Sequence, residues 1–199
     1  MITAFRFSLL TAAALGVSAL IQAQAPVPGT AQASDPEREK VERADAAAKA
    51  FDEEAEITDP TVFVKSAALG GMTEIELAKL ARSKSQDAGI LSFAGRMLKD
   101  HDALHRELSA IAKRKRLDVP TSLVYEDEQM VKQAAEKSGA EFDAWYARQM
   151  ITEHQKAIAL FQGAAKMQDA ELSAFAKKTL PTLDEHQRMA IALANATGR

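Results

Sequence analysis

From Pro60 onward, apolar side chains return every three or four positions and never alternate, so the pattern predicts helices and no strands. The first long helix is expected from about Thr61 to Ser83, opened by Thr58-Asp59-Pro60, with Phe63, Ala67, Gly70, Leu77, Leu80 and Ala81 on one stripe. Glu74 falls on that same stripe. A second is expected from about Gln86 to Arg116, with Ile90, Ala94, Met97, His101, Leu104, Leu108 and Ile111 in phase, and Val119-Pro120 closing it. A shorter helix from about Leu123 to Lys137 fills the connection. Ser138 with Glu141 forms a capping box for a third long helix, about Ala140 to Met167, whose stripe is Tyr146, Met150, His154, Ala157, Phe161 and Ala164. Asp169 is placed to cap a fourth, about Ala170 to Ala196, with Leu172, Ala176, Thr179, Leu183, His186, Ala190 and Leu193 in phase and Pro181 expected to kink it.

Before these helices the pattern changes. Met1 to Arg6 carries one positive charge, Phe7 to Ile21 is apolar but short of the about 20 residues of a confident bilayer span, and Ala23-Gln24-Ala25 supplies a small-x-small cleavage pattern. Residues 1–25 therefore read as a signal peptide, which predicts an exported, periplasmic protein with no transmembrane segment in the mature chain. Pro26 to Ala33 reads as a tether. Ser34-Asp35-Pro36-Glu37 starts a charged helix through about Ile57 with a thin stripe of Val41, Ala44, Ala48, Phe51 and Ala55. Residues 26–59 are thus linker and extra helix, and residues 60–197 the helical bundle.

Composition narrows the chemistry. The 199 residues contain no cysteine, which removes disulfides, thiolate metal sites and a lipid-anchor cysteine. Any metal ligand must be imidazole, carboxylate or thioether. The formal charge of −3 becomes −4 once Arg6 leaves with the leader, so no polyanion is expected as partner. Lys113-Arg114-Lys115-Arg116 is a local exception without aromatic interleaving, and cations at a helix C-terminus are accounted for by the helix dipole. Nucleic acid is not expected.

Three of the four histidines end a repeated phrase: Met97-Leu98-Lys99-Asp100-His101, Met150-Ile151-Thr152-Glu153-His154 and Thr182-Leu183-Asp184-Glu185-His186. Each histidine stands where a core leucine would. With Glu74, each falls about 14 to 16 residues into its helix, near mid-height, so four helices send four polar groups into one layer. Neutral imidazoles with one carboxylate suit copper, zinc or iron. Met97 and Met150 lie one turn before His101 and His154 and would favour copper as further ligands, though methionine on a core stripe also serves as filler. His105, one turn after His101, stands at the stripe's edge and could widen the site. Asp100, Glu153 and Glu185 are rotated about 100° off the stripe, which favours solvent, with orientation of a neighbouring imidazole as the alternative.

Catalytic patterns are missing. A di-iron centre would need Glu-x-x-His pairs, but Leu98, Ile151 and Leu183 occupy the positions three before the histidines. No nucleophile elbow or phosphate loop occurs, and Gly70-Gly71 lies inside a helix, where it is expected to permit close helix packing. Two readings stay open: noncatalytic metal binding through Glu74, His101, His154 and His186, or a structural, stress-protective bundle whose polar layer fixes register without metal.

The segments Gly70-Gly71-Met72-Thr73-Glu74-Ile75-Glu76-Leu77, Met97 to His101, Phe142 to His154 and Leu180-Pro181 to His186 resemble a family of exported bacterial proteins of unknown function, often labelled outer membrane proteins. The resemblance spans about Pro60 to Ala194. It implies an all-α, ferritin-like four-helix bundle, here with the extra N-terminal helix and the short connecting helix. Glu74, His101, His154 and His186 match the family pattern; His105 stands where that pattern usually has asparagine. No activity is implied, and nothing in the chain patterns as a membrane barrel.

Overall fold

Five helices and no strand make up the computed structural model, which describes residues 59–197. The expected leader, tether and charged helix before Asp59 lie outside the described residues. The helices are α1 (Pro60–Lys84), α2 (Ala88–Lys115), α3 (Tyr125–Glu136), α4 (Gly139–Ala164) and α5 (Ala170–Thr197).

Their ends follow from local chemistry. The Asp59 carboxylate accepts from the Thr61 amide at 2.7 Å, with Pro60 opening α1 where its missing N–H costs nothing. Asp87 caps α2 through the Ile90 amide at 2.9 Å. Asp169 caps α5, accepting from the amides of Glu171 and Leu172 at 3.2 and 3.1 Å. The capping box expected at α4 does not form. Ser138 makes no side-chain bond there, Gly139 takes a left-handed φ of 53°, and Glu141 accepts from Lys137 Nζ at 2.8 Å instead. α2 stops before Val119-Pro120 because Arg116 turns left-handed at φ 57°, letting the Leu117 amide bond the Ala112 carbonyl. α5 runs through Pro181 without interruption.

The four long helices close a ring. α1 packs on α2 and α4, and α5 packs on α2 and α4, while α3 lies on α1 and α4. Two apolar clusters give the directions. One joins Phe63, Val64 and Ala68 of α1 to Leu108 and Ile111 of α2, Phe161 and Ala164 of α4, and Leu172 and Phe175 of α5. The other joins Leu77 and Ala81 to Ile90, Phe93 and Met97, then Phe142, Tyr146 and Met150, and Ala190. Early α1 and early α5 therefore share an end with late α2 and late α4, so neighbours around the ring run antiparallel. The chain leaves α2 at one end and starts α4 at the other, and α3 occupies the crossover between them.

Aromatic rings anchor both ends. Phe63 meets Phe161 edge-on at 5.2 Å, with Phe175 5.8 Å from Phe161, and Phe142 stacks on Tyr146 at 5.9 Å beside Phe93. Between the clusters, each long helix contributes a buried titratable residue: Glu74, His101, His154 and His186. No described helix is long and apolar enough to cross a membrane.

Candidate metal centre

The polar layer is buried. His101, His154 and His186 are 4%, 0% and 0% exposed and Glu74 is 2%. The ring centroids lie 5.4 to 5.8 Å apart, and one nitrogen from each ring falls within 4.8 Å of the other two.

The second nitrogen of each ring shows why they face inward. His154 Nδ1 donates to the Met150 carbonyl at 2.8 Å, which leaves the lone pair on Nε2. His186 Nε2 donates to Asp100 Oδ2 at 3.0 Å, which leaves it on Nδ1. His101 Nδ1 rests 3.1 Å from Glu74 Oε2, leaving Nε2. These three remaining nitrogens, His101 Nε2, His154 Nε2 and His186 Nδ1, are buried and have no hydrogen-bond partner. Buried acceptors without partners are rare because each costs about 1–3 kcal/mol. Three on rings this close together are what a cation would satisfy.

Electrostatics keep the rings neutral. Burial holds His101 well below the usual 6.5, with His154 and His186 pushing the same way. Burial also brings His154 down to about 4, against the pull of the Met150 carbonyl. For His186, burial outweighs the raising effect of Asp100. Glu74 is pushed up to about 8 by burial and then by the Glu153 charge. Asp100 goes the other way: burial would raise it, but hydrogen bonds from Arg96 and His186 win and lower it. Arg96 also reaches Glu185 Oε2 at 3.3 Å, so a chain of charged groups runs from Glu185 through Arg96 and Asp100 to His186.

The match to the family "Domain of unknown function (DUF4142)" runs over residues 42–193. The chain belongs to this family. The match carries the earlier resemblance at that coarser level, without a ferritin-like name or an outer-membrane label. In the DUF4142 chain, the stretch from Glu74 to His186 lies wholly inside the matched residues. A solved structure, the crystal structure of a DUF305 fragment from Deinococcus radiodurans, aligns with a TM-score of 0.62 at 17% identity, covering 70% of this chain and 98% of that one. At that identity the likeness is one of fold. No curated protein matches the chain.

Of the candidates in the sequence, His101, His154 and His186 come together. Glu74 joins them differently, touching His101 Nδ1 with one oxygen and lying 3.3 Å from His154 Nδ1 with the other, on the side of both rings away from their free nitrogens. Met97 and Met150 are wholly buried in the apolar cluster beside the layer, and it is the Met150 carbonyl that bonds a histidine. His105 is half-buried, its Nδ1 without partner, and lines a cavity next to the layer. Asp100, expected to face solvent, is the residue that sequence reasoning underweighted. Tyr146 stands on the expected core stripe, yet its buried hydroxyl has no partner, and burial and then Glu74 push its pKa up, keeping it neutral. Arg114 and Lys115 of the basic run pair with α5: Arg114 Nη2 is 2.5 Å from Glu171 Oε1, and Lys115 Nζ is 2.8 Å from Asp169 Oδ2.

Proposed function

We propose that this chain is a periplasmic, ferritin-like four-helix bundle that binds one transition-metal ion noncatalytically through His101 Nε2, His154 Nε2 and His186 Nδ1. One observation carries the reading: three buried, neutral rings stand close together, each with one nitrogen that has no protein partner while its other nitrogen is held by a carboxylate or carbonyl. Metal-binding histidines are oriented in this way, the second nitrogen fixing the tautomer and aiming the first.

Atoms mutually within 4.8 Å lie within about 2.8 Å of a common point. Bonds of about 2.0–2.1 Å need each ring to move inward by only about 0.7 Å. Imidazole nitrogen suits zinc, copper or iron; Asp100 supplies a compensating carboxylate behind His186, and Glu74, a neutral acid until a cation nearby favours its ionisation, backs His101 and His154. Glu74 thereby supports the ligands instead of being one. A set of three imidazoles leaves one tetrahedral position open, a geometry suited to a held but exchangeable ion. Storage, scavenging or tolerance of metal is the matching role, and export rests on the leader pattern of residues 1–25.

The test is elemental analysis of untagged protein after incubation with zinc, copper or iron and gel filtration. One ion per chain is expected, falling to background in a His101→Ala, His186→Ala double variant. No retained stoichiometric metal would refute the reading.

A further inference from the structure

The three free nitrogens have almost no exposed surface, so an ion needs a way in. A cavity of about 400 Å³ reaches the layer, lined by residues of α1, α2, α4 and α5 and by Asp127 at the start of α3. Its inner wall includes Glu74 and His101. Toward solvent it is lined by Asp127 of α3 and by Glu153 and Lys156 of α4. Lys156 Nζ lies 3.1 Å from Glu153, itself also bonded by Gln149 at 2.7 Å, so the outer part carries two carboxylates to one ammonium. His105 adds an unpartnered Nδ1 to the wall.

The glycine pair of α1 keeps this space open. A Cβ at Gly70 would meet no atom within 4 Å, and one at Gly71 would meet only His101 Nδ1 at 3.8 Å. The pair was expected to bring helices together, but at Gly70 nothing has approached. Any larger side chain there would project into the void beside His101. Glu74 stands between the cavity and the rings: it lines the one and touches the other, and its Oε1 has no hydrogen bond of its own.

We propose that the Gly70-Gly71 cavity is the route by which a hydrated divalent cation reaches the histidine layer, with Asp127 and Glu153 attracting it and Glu74 and His101 forming the inner wall it must pass. This rests on the metal-centre reading above. Carboxylates lining a low-dielectric cleft concentrate cations and accelerate their association, an effect that salt screens.

The experiment follows cobalt(II) uptake by stopped-flow absorbance in the full mature chain, with affinity measured separately by chelator competition. Gly70→Leu plugs the cavity from α1 and Ala157→Leu from α4, and neither residue is a ligand; circular dichroism checks that each variant is folded. Both are expected to slow association and release together by about tenfold or more, leaving affinity within about threefold of wild type. Glu153→Gln is expected to slow association severalfold at low salt and to flatten its salt dependence. Wild-type rates in both plugged variants would overturn the route while leaving the metal centre standing. Failure of the wild-type chain to take up cobalt would sink the metal centre and the route with it.

Discussion

Replacing His154 by leucine separates a ligand from a structural histidine. In the metal-free protein His154 Nε2 is a buried acceptor without partner, a condition costing about 1–3 kcal/mol. Leucine removes that cost, restores apolar contact between the two clusters, and leaves the Met150 carbonyl its ordinary helical bond. The loss on the other side is a 3.3 Å contact with Glu74. The metal-free variant should therefore be as stable as wild type or more stable by up to about 2 kcal/mol. Metal reverses the order. At a free concentration a thousand times the dissociation constant, a ligand that binds only the folded state adds about 4 kcal/mol. For a bundle of this size that raises the melting temperature by about 10 °C. Calorimetry of chelator-stripped and zinc-loaded protein should show this shift in wild type and none in His154→Leu. A metal-free variant destabilised by about 2 kcal/mol or more would show instead that the layer exists to hold the fold, and a retained zinc shift would remove His154 from the donor set.

Asp100→Asn keeps the size of the group that orients His186 but not its charge; metal affinity should fall about 10- to 100-fold in chelator competition, with the circular dichroism spectrum unchanged. The stability of the metal-free protein should peak near neutral pH in urea titrations. His154 has a folded pKa of about 4 against the usual 6.5, so as pH falls through that window the unfolded chain takes up a proton the folded one refuses, costing roughly 3 kcal/mol, and His101 and His186 shift the same way. Glu74, at about 8 against 4.5, acts oppositely: its contribution is lost as pH rises through that range, by roughly 5 kcal/mol in full. Below pH 6.5 three histidines outweigh one glutamate, and above it the glutamate acts alone, so Glu74→Gln should erase the alkaline decline and steepen the acid limb; a profile rising steadily to pH 9 in wild type would contradict this. Asp169→Ala removes the α5 cap and the partner of Lys115, and should cost about 1 kcal/mol in denaturant midpoint analysis without altering metal content.

The helices were legible because their stripes are long and their stop signals local. All five occur within a few residues of the expected bounds, since 3.6-residue periodicity over 25 residues leaves little choice of face. What local signals missed was settled between elements. Ser138 and Glu141 spell a capping box, yet Lys137 draws the glutamate away. Gly70-Gly71 reads as a packing seam, yet nothing approaches Gly70. A sequence states which face a residue occupies, and the neighbour's side chains decide what meets it there.

The acids of the repeated phrase show the same limit at the site. Position i−1 of a histidine is rotated about 100° from the core stripe, and on an isolated helix that direction is solvent. In a ring of four helices it is the flank, where the next helix lies. Asp100 therefore serves not the histidine it precedes but His186 on the adjacent α5. Glu185, from the third copy, reaches back to α2 and holds Arg96, which holds Asp100. Glu153, from the second copy, touches no histidine and lines the cavity leading to them. The phrase thus couples a core imidazole to an acid that works for a neighbouring element. A bundle that needed polar groups only to fix register would have no use for the second half of that phrase, because a buried ring satisfied on both nitrogens needs no lone pair aimed at a common point. The arrangement here fixes one nitrogen of every ring and leaves the other open, and that asymmetry favours a bound cation over a purely structural polar layer.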